Sequence, residues 1–247
     1  MKNKYRAFIE NRVDRPKAQV QVNVDSNELF LYDEIGYWGI TAQDFIQALA
    51  LARQSERLTV CINSPGGDIF DGVTIANLLI NRGDVDIRID GFAASIASVI
   101  AMAGDTVQMA ENATFMIHNP WTWVLGDAEE LRKEAAVLDT LKTTLISTYQ
   151  RKTDLSPEEI STLMDAETWM TAEEALEKGF INAVVNKSDE GETNALAFDL
   201  SIYRNAPERL RRGQKGRQPT NSGGGDSEEL RRKLFDLRHR TNKARSL

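Results

Sequence analysis

A serine within a run of small residues, Gly91-Phe92-Ala93-Ala94-Ser95-Ile96-Ala97-Ser98, sits where a strand-like pattern gives way to a helical one. A hydroxyl at such a junction lies at the end of a sheet and feels the positive end of the following helix. Its small neighbours let another backbone approach it. These features suit nucleophilic attack on a carbonyl, as at the strand-turn-helix elbows of hydrolases. They equally suit close packing without chemistry. Ser98, one turn later, reads as a serine that packs the helix.

A serine nucleophile working at neutral pH needs a base, and imidazole titrates nearest that pH. The chain has two histidines, His118 and His239. His118 follows the apolar run TFMI and precedes Asn119-Pro120, whereas His239 lies in a low-complexity tail. If Ser95 is activated by a histidine, His118 is forced; otherwise it is a core or turn histidine. One cysteine, Cys61, excludes an intramolecular disulfide framework. With so few His and Cys residues, a metal site built on them is not expected, nor is any cofactor. The loop Asn63-Ser64-Pro65-Gly66-Gly67-Asp68 pairs two glycines, which permits positive φ and outward N–H groups suited to an oxyanion or a phosphate. It lacks the Lys-Ser/Thr of a Walker motif, and a simple tight turn is the competing reading. Asp165 and Glu167 are both candidates to orient the imidazole, and spacing alone does not choose between them.

The elements that must hold these residues alternate. Strands are expected at Glu28–Ile35, Leu58–Asn63, Val85–Asp90, Thr106–Ala110, Thr114–Ile117 and Ile181–Val185. Helices are expected at Thr41–Arg53, Asp68–Asn81 (with Phe70, Val73, Ala76 and Ile80 along one side), from near Ser95, at Asp127–Arg151, from Ser156-Pro157 to about Asp165, and at Thr171–Lys178. Such alternation marks βαβ units and a parallel sheet, hence an α/β fold. The 247 residues divide unevenly in charge. Residues 1–200 carry 17 Lys and Arg against 32 Asp and Glu, while residues 201–247 carry 13 against 5. An acidic body argues against nucleic acid as a partner, except through the basic tail. We read residues 1–190 as the compact domain and 191–247 as a basic, largely disordered tail, with an amphipathic helix possible at 226–240. No run is long and apolar enough to span a bilayer, and the opening residues lack an apolar signal core, so a cytoplasmic, membrane-free protein is expected.

In order, four segments resemble the ClpP-type serine proteases, the proteolytic subunits of Clp protease. INSPGGDIFDG resembles the family's INSPGG segment, GFAASIASVIAMAGD its GxAAS nucleophile segment, FMIHNP its MIHQP base segment, and WMTAEEALEKGFINAV its closing segment. The resemblance implies a ClpP/crotonase-like fold of repeated βαβ units with a protruding handle helix, here Asp127–Arg151. It implies Ser95 as nucleophile, His118 as general base, and the N–H groups of Gly67 and Ile96 as the oxyanion hole. The family's third residue, an Asp two places before an aromatic, corresponds to Glu167 before Trp169, with Asp165 as the alternative. Family members form rings, so a homo-oligomer is implied. The Trp121-Thr122-Trp123 sequence, where the family has a glycine pair, and the basic tail are similar to the ClpP-type proteases of phage and prophage head-assembly clusters. That similarity implies capsid or scaffold protein as substrate, within the host cytoplasm or an immature head. Three alternatives stand beside it: a cellular Clp subunit degrading unfolded protein with an ATPase, a crotonase-like acyl-CoA enzyme, and an inactive scaffold-like assembly protein.

Overall fold

The computed structural model describes residues 19–185, 198–208 and 210. The strands are β1 (Gln21–Asn23), β2 (Glu28–Leu31), β3 (Leu58–Ser64), β4 (Val85–Ala94), β5 (Thr106–Ala110), β6 (Thr114–Ile117), β7 (Thr168–Met170) and β8 (Ala183–Val185). The helices are α1 (Ala42–Leu51), α2 (Ile69–Arg82), α3 (Ile96–Ala101), α4 (Ala128–Tyr149), α5 (Pro157–Asp165) and α6 (Ala172–Glu177). The strands form one sheet in the order β1-β2-β3-β4-β5-β8, with β6 pairing β4 and β7 pairing β6. Every pair from β2 through β5 to β8 is parallel, and so is β4 with β6. The antiparallel pairs are β1 with β2 and β6 with β7. This is the α/β architecture expected from the alternation.

Helix starts are written locally. Thr41/Asp44, Asp127/Glu130, Ser156/Glu159 and Thr171/Glu174 each form a reciprocal capping box, and Asp68 accepts from the N–H groups of Phe70 and Asp71. Each cap contributes about 1 kcal/mol by satisfying N–H groups that the helix leaves unpaired. In β4, Val85, Ile87 and Ile89 are buried and alternate with partly exposed residues, as a period of two requires.

The sheet forks along β4, and the fork makes the site. Asp86–Ile89 pair with β5, whereas Phe92–Ala94 pair with β6. On the other side, the register with β3 shifts between Ile62 and Ser64. Asn63 fills the irregularity: its Oδ1 accepts from the Phe92 N–H at 3.1 Å. A Cβ at Gly91 would lie 2.5 Å from that same oxygen, so any side chain there would have to displace the Asn63 amide.

Several expectations are corrected. β4 runs on to Ala94 rather than ending at Asp90. β2 ends at Leu31, beyond which Ile35 makes only isolated bridges to Ile40 and Gly67. The short strands β1 and β7 were not expected. Helix α2 centres its buried face on Gly72, Ile75, Ala76 and Leu79; of the expected Phe70-Val73-Ala76-Ile80 side, Ala76 is buried, Val73 and Ile80 pack partly buried against the core, and Phe70 is 58% exposed. The reason is Gly72: a Cβ there would sit 2.1 Å from Ile96 Cγ1, so the helix turns its glycine toward α3. The packed body also reaches past residue 190, because Phe198, Leu200, Tyr203 and Ala206 are buried against it. Residues 1–214 cluster as one unit and 215–247 as another. The second unit, with the helix expected at 226–240, lies outside the described residues. No helix among the described residues is long and apolar enough to cross a membrane.

Candidate active site

Strand register brings the site together. In the parallel pair Ala94 faces Met116, and the Ser95 N–H continues the ladder to the Met116 carbonyl at 3.0 Å. Ser95 thus leaves β4 where His118 is about to leave β6, and Ser95 Oγ lies 2.7 Å from His118 Nε2. In the antiparallel pair Ile117 faces Thr168 and Met116 faces Trp169. One further step sets Glu167 across from His118.

Ser95 has φ 56° and ψ −128°, a region that non-glycine residues rarely enter. Holding it there costs about 1–3 kcal/mol, which the surrounding packing must offset. Helix α3 begins at the next residue and is buried throughout. Ser98 serves this packing: its hydroxyl donates to the Ser95 carbonyl at 2.6 Å and hydrogen-bonds the buried Tyr149 hydroxyl at 2.8 Å.

The glycine loop abuts the serine. A Cβ at Gly66 would lie 2.6 Å from Ser95 Cβ and from the Ala94 carbonyl oxygen. Gly67, at φ 147°, would place one 2.0 Å from the Ile35 carbonyl oxygen, so both positions demand glycine. The Ile35 N–H donates to the Gly66 carbonyl and the Asp68 N–H to the Ile35 carbonyl, at 2.8 and 2.9 Å. Those bonds pin the loop on both sides of Gly67 while its own N–H takes no part in them. The Ile96 N–H opens a helix and likewise has no intrahelical acceptor. Two donors beside one hydroxyl can stabilise an oxyanion.

His118 is largely buried, and burial pushes its pKa down from 6.5 to about 4. The nearby Glu167 charge opposes that fall and Arg204 adds to it. At neutral pH the imidazole is therefore uncharged and able to accept a proton. Glu167 is 4% exposed and has φ 49°, a left-handed position closing α5 where glycine is usual. Its carboxylate accepts from the N–H groups of Arg204 and Asn205 at 2.9 and 2.6 Å, and from Trp169 Nε1 at 3.3 Å. It reaches His118 through charge; among the described residues no hydrogen bond joins them. Asp165 lies elsewhere: it is exposed and accepts from Asn119 Nδ2 and Lys142 Nζ, both at 2.7 Å. Those bonds hold its pKa below the ordinary value. The structure thus gathers Ser95, His118, Gly67, Ile96 and Glu167, and leaves Asp165 tied to the residue after the histidine. Sequence reasoning did not single out Tyr203, Arg204 or Asn205, which sit in what reads as tail.

A family model described as Clp protease matches residues 11–188. The chain belongs to the Clp protease family. Its relatives include an ATP-dependent Clp protease proteolytic subunit from Deinococcus radiodurans, 32% identical over 149 residues, covering 58% of this chain and 73% of that protein. Another, of the same name, from Porphyromonas gingivalis, is 30% identical over 182 residues, covering 68% and 82%. Clp family members are serine peptidases that form ring oligomers and degrade polypeptides. Membership answers the rival reading as a crotonase-like acyl-CoA enzyme. The relatives bear the names of ATP-dependent Clp subunits; none of those names points to head maturation.

Proposed function

We propose that the chain is the proteolytic subunit of a Clp-type serine endopeptidase, with Ser95, His118 and Glu167 as its catalytic residues. The Ser95 Oγ to His118 Nε2 distance of 2.7 Å carries this reading. Ser95 Oγ attacks the carbonyl carbon of a peptide bond while its proton passes to His118 Nε2. The N–H groups of Gly67 and Ile96 receive the oxyanion, each donor worth about 10²–10³ in rate. The imidazolium then gives its proton to the departing amine, leaving an acyl-serine. Water, deprotonated by the same imidazole, hydrolyses that ester and restores Ser95. Glu167 stabilises the transient imidazolium. Its burial beside His118 favours it over Asp165, whose oxygen is taken by Asn119 and Lys142.

The substrate is polypeptide, delivered as unfolded chain by an ATPase partner. The names of the relatives support this reading over phage head maturation. Ring stacking through α4 accompanies it. Only Leu145 and Tyr149 of the helix are buried, and Leu131 is 44% exposed, so its apolar stripe is open for a second copy. The head-maturation reading keeps one observation, the exposed Trp121 and Trp123 on the approach to α4. Purified Ser95→Ala protein should leave an unfolded protein substrate intact while wild type cleaves it; equal cleavage by both sinks the assignment. Mass spectrometry of capsid and scaffold proteins co-expressed with the wild type separates the two substrate readings.

A further inference from the structure

The Clp family match ends at residue 188, yet residues 198–206 lie back on the catalytic face. Phe198, Leu200, Tyr203 and Ala206 pack with Ala94 and Met116, the two residues whose pairing sets Ser95 against His118. Three consecutive residues then touch the glycine loop, His118 and Glu167. The Tyr203 hydroxyl donates to the Pro65 carbonyl, immediately before the Gly66-Gly67 turn. Its ring stands edge-on to His118, with centroids 5.4 Å apart, and to Trp169 at 5.5 Å. The Arg204 and Asn205 N–H groups each hold one oxygen of the Glu167 carboxylate, and Asn205 Nδ2 donates to the Ala166 carbonyl at 2.8 Å. A carboxylate gripped at both oxygens keeps one orientation.

We propose that Tyr203 is a positioning residue of the hydrolytic site, and that the main chain of Arg204 and Asn205 is the clamp that fixes Glu167 beside His118. The proposal rests on the Ser95-His118-Glu167 reading given above. Two features distinguish a support from an inhibitory cover. The Ser95–His118 contact is intact with the segment in place, and the segment meets the glycine loop at a carbonyl rather than at the N–H of Gly67. That contact takes a carbonyl and no oxyanion donor. Among the described residues, the charged and titratable groups facing the His118 ring are Glu167, Arg204 and Tyr203.

The test uses full-length Tyr203→Phe and Tyr203→Ala, assayed by release of fluorescence from an unfolded, dye-quenched protein across about pH 4 to 9. Tyr203→Phe keeps the ring over His118 and loses only the bond to Pro65. Its kcat should fall about three- to tenfold, with the acid limb unmoved. Tyr203→Ala lets water reach the imidazole, so its acid limb should move up toward about 6.5 and its kcat fall further. In a Glu167→Gln background Tyr203→Ala should cost less than in wild type, because both act through one group. Wild-type kcat and an unmoved limb in both variants, or faster hydrolysis by either, overturns the proposal. Tyr203→Phe keeps the buried ring, so its kcat remains decisive even if Tyr203→Ala fails to fold. A fluorophosphonate probe on wild type separates the two levels: unlabelled Ser95 defeats the Clp mechanism itself, whereas labelled Ser95 with indifferent Tyr203 variants defeats only the clamp.

Discussion

Protonating His118 should destabilise the protein in a definable pH window. Burial moves its pKa from 6.5 in the open chain to about 4 in the folded one. Between those values the unfolded chain binds a proton that the folded chain refuses, so stability rises with pH across the window. The contribution is complete above about pH 6.5, shrinks as pH falls toward 4, and changes no further below. A shift of this size corresponds to about 3 kcal/mol at 1.36 kcal/mol per unit, an upper value because the ring keeps some solvent contact. Many carboxylates titrate in the same range, so the comparison is between wild type and His118→Gln, unfolded in urea at one protein concentration. Between pH 7 and about 4.5 the wild type should lose about 2 kcal/mol more than the variant, or roughly 1 M in urea midpoint. A constant difference across that range would refute the account of a neutral, buried base. A difference of opposite sign would mean that Glu167 keeps the imidazole charged in the fold.

Other consequences follow from single residues. Gly67→Ala should lower kcat about a hundredfold or more and reduce the melting temperature, since its Cβ meets the Ile35 carbonyl at 2.0 Å. Glu167→Gln should reduce kcat far more than Asp165→Asn, which should fall within about threefold of wild type; parity of the two in steady-state assays would reverse the choice of acid. Leu131→Glu, on the open stripe of α4, should shift the assembly toward smaller species by analytical ultracentrifugation without altering subunit folding.

The sequence and the structure agree where signals are local. Thr41, Ser156 and Thr171 start their helices because side-chain caps are short-range chemistry. The alternation in Val85–Asp90 orients β4 for the same reason. Disagreement begins where tertiary contacts decide. Helix α2 turns Gly72 to Ile96 and leaves Phe70 exposed, a rotation that its amphipathic pattern alone does not show. Strand β7 has three residues, too few for a period, yet its register with β6 is what sets Glu167 rather than Asp165 opposite His118. The clamp was least visible, since residues 198–206 stand between linker-like stretches. A faint signal exists in Phe198-Asp199-Leu200-Ser201-Ile202-Tyr203, where apolar and polar residues alternate before the final tyrosine.

The central claim is that Ser95, activated by His118, forms the acyl intermediate. The most direct measurement is mass spectrometry of the full-length protein after reaction with a fluorophosphonate near neutral pH. One adduct per chain should appear on the peptide containing Ser95, and it should be lost in Ser95→Ala and strongly slowed in His118→Gln. An adduct on another residue, or no adduct on a preparation that hydrolyses protein, would contradict the account.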